Sequence, residues 1–333
     1  MTALKVLFIG GTGIISSAAA RRALEAGIEL TVLTRGTTTE RALPDAAQCV
    51  TADVNDRRGV RDALHGASFD AVVDWVAFTP DHVQRDLDLF AGRTRQFVFI
   101  SSASAYQTPP VALPIRESTP LRNPFWQYSR DKIACEELLT AAYRERGLPM
   151  TIVRPSHTYD ATMVPFDGGW TVVDRMRRGQ GIVVPGDGTS LWTLTHAEDF
   201  AVGFVGLLGR PEAVGQSFHI TADDPMPWNA IYLEMAHAAG VDAPDLVHVP
   251  SEAIHAVDAD WGSGMLGDKA HSMIFDNTKI KQLVPDFVAR TPFSAGAREI
   301  IEWFDADPAR KAVDPEMNAV MDKLVEAYRP RAL

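Results

Sequence analysis

The chain has 333 residues, 46% of them hydrophobic and 23% charged, enough for one large core or two smaller ones in an ordinary globular protein. Its formal net charge of −11, from 32 basic and 43 acidic residues, opposes a phosphate backbone and speaks against nonspecific nucleic-acid binding. Cys49 and Cys135 allow no disulfide framework, the nine histidines show no metal spacing, and no apolar run approaches the roughly 20 residues of a membrane span, so a reducing, cytoplasmic setting is expected.

The first 155 residues alternate short apolar runs with amphipathic stretches. Val6 to Ile9 reads as a buried strand, too short and too close to glycine for a signal peptide. Ile14 to Ala26 is helical in pattern. Leu30–Leu33, Cys49–Thr51, Ala71–Val76, Phe97–Ile100 and Thr151–Val153 follow as strands, each after a polar or helical segment. Near-continuous apolar strands separated by helices imply a parallel sheet covered on both faces, and right-handed crossovers make it doubly wound α/β. Beyond residue 155 Gly and Pro become frequent. Helices are expected at 167–178, 197–209, 227–239, 251–257 and 294–304, strands at 182–184, 217–220 and 246–249, and a terminal helix in the tail from Pro308. The organisation expected is a dinucleotide-binding Rossmann domain over 1–160 and a smaller α+β substrate lobe over 161–333. The lobe does not fold independently, and part of it returns to the sheet.

Gly10-Gly11-Thr12-Gly13-Ile14-Ile15-Ser16 joins the first strand to the first helix. Gly10 permits a tight turn, Gly13 lets backbone approach a pyrophosphate, and the helix N-terminus offers N–H groups to that anion. Thr12, Ile14 and Ile15 complete this part of the cofactor set. The second strand ends Thr34-Arg35-Gly36 with no carboxylate until Glu40. An acidic residue there would bind a ribose 2′-hydroxyl, whereas Arg35 suits a 2′-phosphate, so NADP(H) is favoured over NAD(H); the alternative is an Arg35 stacked on adenine. Asp53, with Val54 behind it, is placed to reach the adenine amino group or to serve as an ordinary turn residue.

A serine cluster, Ser101-Ser102-Ala103-Ser104, follows the strand at 97–100, and Tyr128-Ser129-Arg130-Asp131-Lys132 lies downstream. Residues i and i+4 share a helix face. An ammonium one turn from a phenol favours the phenolate by charge proximity, which makes a general acid/base of a tyrosine. Arg154-Pro155 closes the next strand, and His196-Ala197-Glu198-Asp199 comes later.

With these motifs in order, the chain resembles the extended short-chain dehydrogenase/reductase superfamily, which contains sugar-nucleotide epimerases and dehydratases, over about residues 4–305. The resemblance implies that Ser102, four residues before Tyr106 in the "SxxxY" segment, holds the substrate oxygen next to Tyr128. It implies that Lys132 also bonds the nicotinamide ribose, that Ala77 and Phe78 line the cofactor, and that Pro155 lies beside the nicotinamide. His196 to Asp199 matches a "HVxD" element read as mainly structural. A homodimer through two sheet-flanking helices is the family expectation.

Departures from the pattern bear on substrate. The arginine that contacts diphosphate in nucleotide-sugar 4-epimerases is replaced by Trp192, and the second clamp position, before Gly267-Asp268, holds Met265-Leu266. Losing both guanidinium forks disfavours a diphosphate, and an indole suggests stacking on a ring or an apolar wall. Ala103 and Ser104 stand where dehydratases carry an acidic pair, which disfavours dehydration by that route. Ser104, His157 and Trp192 are the candidate substrate contacts. His157 is either a second acid/base or a loop histidine. Lys269 and His271 are either a substitute clamp or solvated surface residues. Three functions follow: an NAD(P)-dependent oxidoreductase acting on a sugar-like, polyol or nucleoside-like alcohol or ketone; an epimerase using tightly held cofactor; and an RNA-associated relative, since Arg35-Gly36 also resembles the plastid RNA-binding branch. The acidic charge and the Ser102–Tyr128–Lys132 set oppose the third.

Overall fold

The apolar runs form the centre of one parallel sheet in the computed structural model, which describes residues 3–37 and 41–329. Glu40, invoked above for cofactor choice, lies outside the described residues. In chain order the first half comprises β1 (Lys5–Ile9), α1 (Ile14–Glu25), β2 (Glu29–Thr34), β3 (Gln48–Thr51), α2 (Arg57–Ala63), β4 (Ala71–Asp74), α3 (Pro80–Phe90), β5 (Phe97–Ile100), α4 (Gln127–Arg146) and β6 (Met150–Pro155). β7 (His157–Tyr159), α5 (Trp170–Arg177), β8 (Ile182–Pro185), β9 (Leu191–Trp192), β10 (Leu194–His196), α6 (Ala197–Val205) and β11 (Gln216–Ile220) follow. The remainder is β12 (Met226–Pro227), α7 (Trp228–Ala238), β13 (Leu246–Val249), α8 (Ser251–Val257), α9 (Ala259–Gly264), a π-helical turn (Met265–Lys269), α10 (Thr278–Leu283), α11 (Phe293–Asp305) and α12 (Pro315–Tyr328).

The sheet order is β11-β6-β5-β4-β1-β2-β3, every pair parallel. All residues of β4, β5 and β6 are buried, as strands covered on both faces must be. On one face the small side chains of α1, Ala18, Ala19, Ala20 and Ala23, let it pack closely on α6. On the other, Val83, Leu87 and Phe90 of α3 meet Cys135 and Leu139 of α4. The chain runs from β1 outward through β2 and β3, then returns to the opposite side with β4. The crevice for a ligand opens at this reversal, beyond the carboxyl ends of β1 and β4.

A second core forms around Trp170, Trp192, Trp228 and Trp261, and β11, from the second half of the chain, returns to pair with β6. Two expectations are adjusted. β4 ends at Asp74 and not Val76, because Asp74 Oδ1 accepts the N–H of Val76 and of Ala77 and turns the chain out of the sheet. The terminal helix begins only at Pro315, where the Asp314 side chain caps it.

Candidate active site

The cleft at the switch point has a volume of about 330 Å³ and is walled by β1, β2, the turn after β3 and the start of α3. Gly10, Thr12, Arg35, Asp53, Val54 and Phe78 line it. Gly10 has φ +79°, and a Cβ there would lie 2.7 Å from Val76 Cγ1, so only glycine gives this turn. Gly13 caps α1, with its own N–H donated to Ser16 Oγ at 2.8 Å, which is the use found for the small third position of the motif. Ile14 and Ile15 open α1 beside it. This glycine-walled cradle at a helix N-terminus fits a nicotinamide dinucleotide. Asp53 spends Oδ1 on Asn55, taking its backbone N–H at 2.9 Å and its side-chain amide at 3.0 Å, so it holds its turn while lining the cleft. Asn55, His82 and Arg85 also line the cleft and were not singled out in the sequence.

The trio assembles next to Phe78, which lines the cleft. Lys132 is 2% exposed, and its Nζ donates to the carbonyls of Ala77 at 2.7 Å and Ile100 at 2.8 Å. The ammonium also sits over the rings of Phe78 and Phe99, 4.7 and 4.8 Å from their centroids, and 5.8 Å from that of Tyr128. Burial lowers its pKa to about 8. Tyr128 departs from expectation. Burial pushes its phenol up to about 12, and the hydrogen bond from Ser102 opposes that only in part. The expected lowering by Lys132 does not appear: besides Ser102, the groups acting on the phenol are Asp268 and Cys135, and both raise it. Ala77 is itself buried, so its contribution is a carbonyl for Lys132 and not a side-chain contact.

Ser102 Oγ is 2.9 Å from Ser104 Oγ, which also accepts from Ser129 Oγ at 2.8 Å. Ser104 is 2% exposed, so its expected role as a substrate contact is corrected: it supports Ser102 from behind. Asn123 ties this segment to the smaller lobe, donating to Ser104 O at 2.9 Å and Gly267 O at 2.6 Å. One turn below Lys132 on α4 is Glu136, buried and unremarked in the sequence. It accepts from Arg154 Nε at 2.9 Å and Nη2 at 2.5 Å, and from Ser101 Oγ at 2.5 Å. The neighbours of Ser102 and Pro155 are thus braced to the helix that carries Tyr128 and Lys132. Pro155 ends β6, buried beside β11.

On the substrate side the expectations divide. Trp192 is 2% exposed and stacks on Trp228 at 6.0 Å within the lobe core, so it is not the open stacking wall expected. His157 is held neutral, its pKa driven down to about 3 by burial and by Lys269, and its Nε2 has no partner among the described residues. A charged acid at His157 is therefore not available. Lys269 is buried rather than solvated, 3.8 Å from Asp167. Asp268 acts electrostatically on Tyr128, and burial lifts its own pKa to about 7. His196 caps α6 and bonds Glu299, the structural role expected.

A 2′-dehydrokanamycin reductase of Streptomyces kanamyceticus is 26% identical over 86% of this chain and 81% of that protein. The chloroplast stem-loop binding protein of 41 kDa b of Arabidopsis thaliana is 26% identical over 73% of this chain and 65% of its own length. A UDP-glucose 4-epimerase of Lactobacillus helveticus is 31% identical over 45% of this chain and 51% of that enzyme. The match thus spans less than two thirds of the plant protein and about half of the epimerase. Among solved structures, a dTDP-glucose 4,6-dehydratase of Bacillus anthracis in complex with NAD superposes with a TM-score of 0.72 at 17% identity, covering 92% of this chain and 98% of that one. A UDP-glucuronic acid 4-epimerase of Bacillus cereus superposes with a TM-score of 0.72 at 16% identity, covering 91% and 99%. These likenesses establish the shared fold. The family model for the NAD dependent epimerase/dehydratase family matches residues 6–221, and this chain belongs to that family.

Proposed function

We propose that this protein is an NAD(P)-dependent oxidoreductase interconverting a secondary alcohol and a ketone on a sugar-like or polyol small molecule. One observation carries the reading: a buried Lys132 ammonium held on two carbonyls, with the Tyr128 phenol and Ser102 hydroxyl near it and Phe78, a residue of the cleft wall, against both Lys132 and Tyr128. Bound nicotinamide supplies or accepts the hydride. Tyr128 gives its proton to the forming alkoxide in reduction and takes it back in oxidation. A phenol pushed up to about 12 keeps its proton at neutral pH and can donate it in reduction. Ser102, backed by Ser104 and Ser129, orients the reacting oxygen. Lys132 keeps positive charge beside the developing alkoxide.

Arg35, exposed at the rim of the cleft beyond β2, supports a preference for NADP(H). The absent guanidinium clamps and the coverage of the reductase relative support a substrate without a nucleoside diphosphate. The test is reduction of a ketone panel, including 2′-dehydrokanamycin, keto-sugars, inososes and UDP-4-keto-glucose, with NADPH or NADH added to the purified protein. Turnover that needs added cofactor supports the oxidoreductase. Protein that carries tightly held NAD and interconverts epimers with none added would establish the epimerase instead.

A further inference from the structure

Asp74 ends β4 with no exposed surface, in a strand run that is otherwise apolar. Its Oδ1 accepts the N–H of Val76 at 3.0 Å and of Ala77 at 2.9 Å. The carbonyl of the same Ala77 accepts Lys132 Nζ at 2.7 Å. The Asp74 carboxyl thus fixes the turn whose carbonyl fixes the lysine. Asp86 on α3 is equally buried, and Arg85 takes both its oxygens, Nε to Oδ1 and Nη2 to Oδ2, each at 2.8 Å. Arg85 Nη1 then reaches Asn55 Oδ1 at 2.8 Å, in the wall of the cofactor cleft.

Asp74 Oδ2 is turned to Asp86 and has no N–H or O–H partner among the described residues. Two buried carboxyl groups in contact, with no donor between them, persist only if they share a proton. Asp86 already receives two charge-assisted bonds from Arg85, one on each oxygen, which leaves both of its oxygens as acceptors. The proton therefore belongs on Asp74 Oδ2, donated to Asp86.

We propose that Asp74, protonated on Oδ2 toward Asp86, is a positioning residue for Lys132. The proposal rests on the hydride-transfer reading of the trio. An ionised Asp74 would compete for the lysine as an ion-pair partner; a neutral one holds the Ala77 carbonyl in place and leaves the ammonium's charge for the phenol and the cofactor ribose. The charged and titratable groups facing the pair are Asp86 and Arg85 on α3, and Lys132 and Cys135 on α4. Asp86 and Arg85 cancel, and Cys135 is a neutral thiol, its pKa raised by burial to about 12. Lys132 is thus the one uncompensated charge of the group.

The test is infrared spectroscopy of the full chain at about pH 8.5, where Asp268 is ionised. The wild type should show a deuterium-sensitive carboxylic-acid carbonyl band that Asp74→Asn abolishes. Asp74→Asn keeps an oxygen for both N–H groups and an N–H for Asp86, so NADPH and NADH affinities and the pH profile of turnover should stay within about twofold of wild type. Asp74→Ala removes the brace and should weaken NADPH binding about tenfold or more and move the alkaline limb of turnover. Absence of the band in the wild type, its persistence in Asp74→Asn, or wild-type cofactor affinity in Asp74→Ala would overturn the proposal. Should Asp74→Ala fail to fold, the infrared comparison of the other two proteins decides. A wild type that shows the band but binds neither cofactor refutes the hydride-transfer reading and, with it, any role of Asp74 at such a site.

Discussion

Replacing Glu136 by Gln removes the charge at the centre of the catalytic brace while keeping its shape. Glu136 takes the Arg154 fork at 2.9 and 2.5 Å and the Ser101 hydroxyl at 2.5 Å, with the two charged side chains 3% and 5% exposed. In the variant the guanidinium stays buried without its anion, and the new amide N–H₂ faces donors. Breaking a buried ion pair from one side costs about 3–5 kcal/mol. The Arg154 guanidinium keeps its place 4.7 Å over the Tyr106 ring in both proteins, so that contact cancels and a loss of about 3–5 kcal/mol is expected. Urea unfolding followed by tryptophan fluorescence measures it, for Glu136→Gln, Arg154→Met and the double variant. The double variant removes both charges and should recover about 2 kcal/mol or more relative to the sum of the singles. A Glu136→Gln protein within about 1 kcal/mol of wild type, or strictly additive singles, would refute the reasoning.

The other predictions concern the cleft and the lysine. The Lys132 ammonium is the form that bonds Ala77 and Ile100, so cofactor affinity should be full below about pH 8 and fall as pH rises through that value, measured by NADPH fluorescence titration. The stability contribution of the same group has the opposite sign. The unfolded lysine keeps its proton up to its ordinary 10.5, so between about 8 and 10.5 unfolding takes up a proton and this contribution rises with pH. Gly10→Ala forces a side chain into φ +79° and against Val76, so it should cost about 1–2 kcal/mol in strain and abolish cofactor binding in calorimetry. Arg35→Ala should weaken NADPH about tenfold and leave NADH nearly unchanged; equal losses for both cofactors would favour adenine stacking at this position.

The sheet was legible because its strands are unbroken apolar runs, and the cleft because a strand, a glycine turn and a helix occur together at Ile9, Gly10 and Ile14. Tyr128 and Lys132 were legible from spacing, and the same spacing runs one step further to Glu136, a signal left unused. Asp74, Asp86 and Arg85 were hidden for a different reason: each is a charged residue inside an element whose pattern reads as ordinary, and their meaning arises only where β4 and α3 meet. Ser104 and Trp192 were misplaced because side-chain direction depends on remote partners, Ser129 and Asn123 for one and Trp228 for the other. Lys269 looked solvated in a polar stretch, and the π-helical turn buried it.

The central claim is that Tyr128 transfers a proton while hydride moves between nicotinamide and a carbinol carbon. Single-turnover reduction with NADPH carrying deuterium at both C4 positions, on whichever ketone of the panel is turned over fastest, tests it most directly. The account predicts deuterium on the carbinol carbon of the product, and in Tyr128→Phe a rate lower by about 10²–10⁴-fold with NADPH affinity unchanged. Deuterium retained on the cofactor, or a Tyr128→Phe protein as fast as wild type, would contradict it.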